Sequence, residues 1–136
     1  MAKILNTEIR RAIVGHLEAD ASVTALVPAE RIYAPQPPAL PAWPHIVYGV
    51  PSDTPLRMSC VDGQTIIVAI HAFAKGPGEA AVEAIGAAIA KALDGQQFSI
   101  GDGMAKVRFT GGSTLQDGTD ANSWRRITNL RIRVLA

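Results

Sequence analysis

The sequence predicts an α+β domain: a roughly four-stranded antiparallel sheet with two main helices packed on one face. Three observations carry that expectation. The stretch Thr65-Ile-Ile-Val-Ala-Ile-His-Ala-Phe-Ala-Lys75 is apolar on both alternating faces, as a central strand covered on both sides requires. Residues 79–93 set Val82, Ile85, Ile89 and Leu93 at helical spacing, which makes one apolar stripe. The last strand, 124–135, alternates Leu130, Ile132 and Val134 with Arg131 and Arg133, so one face meets the core and the other faces out.

Taken in order, the chain opens with a cap at Asn6 or Thr7 and Leu5 as a staple. Ile9, Ala12, Ile13 and Leu17 then define an amphipathic helix. Asp20 or Ser22 caps a shorter helical turn that ends at Pro28. Arg31-Ile-Tyr33 is a short extended piece. Between Pro35 and Pro44 there are five prolines, which excludes helix and central strand and predicts an extended surface strap. His45 to Val50 is a strand closed by Pro51. Residues 52–64 read as a polar connection with a turn at Asp62-Gly63, or as a hairpin arm through Leu56, Met58 and Val61; the hairpin, with a loosely ordered outer part, is the favoured form.

After the central strand, Gly76-Pro-Gly78 turns the chain into the 79–93 helix. Apart from its stripe, that helix is mostly Ala with Gly86, so a neighbour can approach closely. Asp94-Gly95 ends it. Residues 98–100 form a strand stub, and 104–115 a strand with a bulge or bend at Gly111-Gly112. Gln116 to Asn122 is a polar hairpin loop. If both helices lie on one face of the sheet, Ile67, Ala69 and Phe73 need cover from the proline strap or from another subunit.

A length of 136 residues predicts a single domain, 1–136, burying roughly two thirds of its unfolded surface. Net charge is +1, too small to draw the chain to nucleic acid or membrane in bulk. Residues 104–136 nevertheless hold six basic against two acidic side chains, a surplus of four, which leaves the rest at −3. One cysteine, Cys60, excludes an internal disulfide and fits a reducing compartment. The first residues lack the apolar core of a signal peptide, which predicts a chain used whole. No apolar run approaches the ~20 residues of a membrane span.

Chemistry is sparse. His16, His45 and His71 are far apart and in no ligand spacing, so packed or exposed histidines are the plainer reading than a metal site. Cys60 with His71 has no nucleophile signature around it. Lys75-Gly-Pro-Gly-Glu79 stands where an anion meets a helix, yet lacks phosphate-loop spacing and sets Glu79 in the first turn. No cofactor is implied. The arginines Arg125, Arg126, Arg131 and Arg133, with Trp124 beside them, admit three readings. They form a nucleic-acid surface, a solvated face, or a contact with carboxylates of another subunit.

Several segments together resemble the tail-completion, or tail terminator, family of long-tailed double-stranded DNA phages and gene transfer agents. They are Leu17-Glu-Ala-Asp-Ala-Ser-Val-Thr-Ala-Leu26 after an amphipathic helix, Arg31-Ile-Tyr33, and Leu40-Pro-Ala-Trp-Pro-His-Ile-Val-Tyr48. An apolar strand ending His71-Ala-Phe73 and an Ala-rich helix ending Ala92-Leu-Asp94 complete the pattern. The likeness covers most of residues 5–94 and carries no catalytic signature.

That resemblance implies a non-enzymatic virion protein, assembled in a bacterial cytoplasm. It implies a hexameric ring that caps the tail tube, ends its growth and docks a head-side connector or stopper, with DNA passing through the lumen unheld and no membrane partner. The competing assignments are another neck component and a host-encoded binding module. Expected contacts are Trp43 with its neighbouring prolines, Leu56 and Met58, and Arg125, Arg126, Arg131 and Arg133. Since a cationic lumen would retard DNA, most of those arginines are expected to meet protein carboxylates or solvent at the rim.

Overall fold

The computed structural model describes residues 6–34, 36–39, 41–57, 62–101, 103–118 and 122–135. In chain order these build α1 (Asn6–Ala19), α2 (Ala21–Thr24), a 3-10 turn (Ala29–Arg31), β1 (Ile32–Tyr33), β2 (His45–Tyr48), β3 (Ser52–Arg57) and β4 (Asp62–Lys75). Then follow α3 (Ala80–Leu93), β5 (Gln97–Ile100), β6 (Gly103–Gln116) and β7 (Ser123–Leu135). The α+β class holds, but the sheet has seven strands rather than four, in the order β1-β2-β4-β7-β6-β5 with β3 also on β4. Among the described residues only β1 and β2 run parallel.

The extra strands are short or polar, and alternation cannot show in them. β1 has two residues and β5 four, while β3 reads Ser-Asp-Thr-Pro-Leu-Arg. What makes β3 a strand is a partner: β4 extends to Asp62 and offers a free edge, pairing Ser52 with Ile67 through Arg57 with Asp62. Pro55 is tolerated because β3 is an edge strand. The expected hairpin is therefore present, but Asp62-Gly63 belongs to β4 and not to its turn. The turn itself, with Met58 and Cys60, lies outside the described residues, as does Leu5.

β2 and β3 are one run of chain with an irregularity between them. Tyr48 pairs with Ile70 and Ser52 with Ile67, so residues 49–51 face only 68 and 69. The bend rests on Gly49, whose N–H donates to the Ala69 carbonyl at 2.9 Å. A Cβ at Gly49 would stand 2.4 Å from that same oxygen. The bulge expected near Gly111-Gly112 is also present, as a register shift between Phe109 and Gly111, with Gly111 at φ +129°.

The helices form as their stripes demand. Ile9, Ile13 and Leu17 of α1 are buried, and so are Val82, Ile85, Ile89 and Leu93 of α3; full burial of such side chains stabilises by roughly 1.5–3 kcal/mol each. Asp20 caps α2, its Oδ1 accepting from Ser22 N at 2.9 Å and Val23 N at 3.1 Å. Asn6 is already helical, and its amide donates to Asp53 Oδ1 at 3.3 Å. Gly95, at φ +81°, closes α3 and hands the chain to β6 through a bond from its N–H to the Val107 carbonyl.

All of this packs on one side of the sheet. Ile66, Val68, Ile70, Ala72 and Ala74 of β4 join Leu130, Ile132 and Val134 of β7 and both long helices in one core. β4 is central, with β7 on one edge and β2 and β3 on the other. The expectation that it is covered on both sides is corrected: on the other face Ile67 is 47% exposed. We call that side the open face.

Candidate functional site

Strand alternation decides what the open face carries. β4 contributes Thr65, Ile67, Ala69, His71 and Phe73, which stand opposite Arg133, Arg131, Asn129, Ile127 and Arg125 of β7. On the far side of β7, Lys106 of β6 is directly opposite Arg133, and Arg108 opposite Arg131. The result is a four-cornered cationic patch. Its sides are the strand spacing, about 4.8 Å, and the two-residue rise, about 6.8 Å. All four side chains are exposed. With Gln97, Met104 and Leu135 they line a shallow groove of about 410 Å³. Among the described residues no ion pair joins any of the four, and like charges directly opposite each other destabilise a sheet.

The other half of the open face is aromatic and closed by its own chain. Phe73 stacks on His45 at 4.6 Å between centroids and meets Trp43 edge-on at 5.9 Å. Trp43 also lies edge-on to His45 at 4.9 Å. It precedes a cis Trp43–Pro44 peptide, and its backbone carbonyl accepts from Arg31 Nη1 at 3.0 Å. The Arg125 guanidinium lies over the Phe73 ring at 5.1 Å and pairs with Asp117 at 2.9 Å. Burial lowers the pKa of His45, against smaller raising effects from the Ala42 backbone and Asp117. His71 is lowered too, first by burial and then by the Arg125 charge.

The four arginines thus part company. Arg131 and Arg133 face out, as expected, and Arg125 has its carboxylate within the chain. Arg126 departs from the expectation of a carboxylate or solvent at a rim, because its register places it on the helix side. There its stem runs beneath Gly86 of α3, and its Nη1 donates to Thr114 Oγ1 at 3.1 Å. Trp43 is half-buried. Leu56 lies in β3 with its backbone opposite Gly63, and Met58 lies outside the described residues.

Sequence reading missed Lys106 and Arg108 as partners of the arginines. The signal was present in the partial alternation of 104–115, but pairing register was needed to set those cations against Arg133 and Arg131. Among the described residues no group of three or more His, Cys, Asp or Glu side chains gathers as metal donors. His16 instead bonds the Ala92 carbonyl at 2.9 Å.

A second concavity, about 400 Å³, opens on the opposite layer. Leu26, Trp43, Pro44, Ala81, Ala84 and Ile85 line most of it. Leu26 is 41% exposed, and Lys75 Nζ stands 5.1 Å over the Trp43 ring at its border. Exposed apolar and charged side chains on both layers, with no metal-donor cluster among the described residues, suit a protein that meets other proteins.

Comparison with known proteins agrees with that class. The family described as tail completion protein gp17 matches residues 11–135, and the chain belongs to that family of structural virion tail proteins. A solved chain from the virion of a native gene transfer agent particle superposes with a TM-score of 0.85 at 22% identity, covering 99% of this chain and 100% of its own. A second solved chain superposes with a TM-score of 0.60 at 16% identity, with 94% of each chain covered. At those identities the likeness is one of fold. No curated protein matches the chain.

Proposed function

We propose that this chain is the subunit of a hexameric ring that caps a virion tail tube, ends its growth and presents a docking face to the head-side connector. The observation that carries the reading is the open sheet face of a tail completion family member, with Ile67, Met104 and Leu135 exposed beside four cations that have no ion pair among the described residues. A sheet left bare on one side is completed by a neighbour, and a ring uses two different patches of each copy for that purpose. The fold shared with a chain of a gene transfer agent virion supports assembly within a particle of that kind.

In this reading Trp43, Leu56, Met58, Arg131 and Arg133 border neighbouring subunits. Arg125 and Arg126 act one step back, Arg125 holding β6 to β7 through Asp117 and Arg126 seating α3. DNA passes the lumen without a specific site. The test is electron microscopy of the purified chain alone and with tube protein, together with deletion of its gene from a particle-producing strain. Six-fold rings on tube ends, and overlong or headless tails in the deletion, are the expected results. A chain that stays monomeric with tube protein, or that binds only the connector, would overturn the assignment.

A further inference from the structure

We propose that the cationic corner of the open face docks on the acidic edge of α3 in a second copy of this chain. Lys106, Arg108, Arg131 and Arg133 of one copy would face Glu79 and Glu83 of the next. This deepens the ring reading and rests on it, by naming the two surfaces that meet.

The first argument is charge. Lys106 faces Arg133 and Arg108 faces Arg131 across adjacent strands, an arrangement that costs stability in an isolated chain and is relieved when carboxylates approach. Glu79 and Glu83 are exposed one helical turn apart, so their side chains share one edge of α3. Glu79 holds the N-cap position without using its side chain as a cap. The single described contact of the Glu83 side chain is a 3.4 Å hydrogen bond from Thr114 Oγ1.

Apolar fit is the second argument. Beside the cations, Ile67, Met104 and Leu135 are exposed. On α3 the exposed Ala80 and Ala87 lie beside the two glutamates, and the apolar cleft lined by Leu26, Trp43, Ala81 and Ala84 opens on the helix's other flank. Ala80, Ala81, Ala84 and Ala87 are all exposed on α3, so a neighbour can approach its first two turns closely, with Lys91 exposed only in the last turn. The two surfaces lie on opposite layers of one sheet and meet only between copies, which makes the contact head-to-tail. A nucleic acid fits less well. It gains nothing from the exposed methionine and leucine, and no aromatic ring lines the cationic groove for bases to stack on.

Sedimentation velocity of the full chain over a wide concentration range tests the contact. Wild type associates. Both K106E/R108E/R131E/R133E and E79K/E83K shift the association midpoint upward by roughly tenfold or more, as reversal at charge-paired interfaces does. Mixed one to one, the two variants assemble again, since each then offers what the other lacks; this also shows that both are folded. The milder R131Q/R133Q weakens association and stands in if the fourfold reversal does not fold. Oligomers indifferent to every reversal would sink this contact and leave the ring reading standing. A wild type that is monomeric throughout would sink this contact and leave the ring reading to the test with tube protein. Reversal that abolishes steeply salt-dependent DNA binding without changing self-association would assign the patch to nucleic acid instead.

Discussion

Gly86 of α3 lies directly on the stem of Arg126 in β7: a Cβ at residue 86 would stand 2.5 Å from Arg126 Cγ. The helix approaches the sheet over an arginine, which an apolar core would not ordinarily admit. The missing side chain in α3 makes room for the Arg126 methylenes, and the guanidinium reaches past them to Thr114. Long cationic side chains are suited to this, burying the stem while the head finds polar partners.

That contact predicts a reversal of sign. Gly86→Ala in the wild type lowers stability, because overpacking costs about 1–3 kcal/mol and outweighs the helix propensity gained. In an Arg126→Ala background the same change raises stability by about 1 kcal/mol, the propensity difference alone. Urea unfolding of the four chains measures both effects. An equal effect in the two backgrounds would show that Arg126 is not what Gly86 accommodates.

Gly49→Ala is predicted to be worse than Gly86→Ala. The obstacle at Gly49 is the Ala69 carbonyl, part of the central strand's backbone, which cannot rotate aside as a side chain does. A loss of about 2 kcal/mol or more is expected, and hydrogen exchange at 66–72 should quicken with it.

Arg131→Thr is predicted to stabilise the isolated chain by about 0.2–1 kcal/mol, since it removes one half of a cross-strand like-charge pair. The gain should shrink as salt is added, because exposed charges are screened beyond roughly 10 Å at 0.1 M. Thermal melts at two ionic strengths, at concentrations low enough to keep the chain monomeric, decide it. Destabilisation at low salt would mean that Arg131 already has a partner.

Stability should fall as the pH drops below the ordinary histidine range. His45 and His71 both have lowered folded-state pKa values, so the unfolded chain takes up protons first as pH falls through about 6.5. The unfolded state then binds more protons, and stability rises with pH across that window. Urea midpoints between pH 7.5 and 5.5 should decline, and His71→Gln should flatten the curve by removing one of the two contributions. A midpoint that rises toward pH 5.5 would contradict the buried, neutral stack against Phe73.

How much was legible follows from how local each signal is. The stripe of α3, the alternation of β7, the cap at Asp20 and the bulge before Gly111 depend on residues within a few positions of one another, and they stand where the sequence put them. β5 shows in the sequence only as a stub at 98–100 and β3 only as a hairpin arm, without the bounds the structure gives them. A polar six-residue segment becomes a strand only because β4 runs on to Asp62 and leaves an edge there, and no local pattern encodes a partner's length. The arginines show the same limit at the candidate site. Four lie in one strand, yet strand parity and the register with β6 send Arg126 to the helices, Arg125 to Asp117, and Arg131 and Arg133 to the open face.

The sequence by itself determined the class of the fold, its two long helices and the one-sided alternation of β7, because periodicity is written in nearest neighbours. Only the tertiary structure decided that the central strand is covered by Trp43 at Phe73 but exposed at Ile67, and that Lys106 and Arg108 stand opposite Arg133 and Arg131. The physical reason is that a sheet face is assembled from strands distant in sequence, and its charge pattern exists only once their register is set.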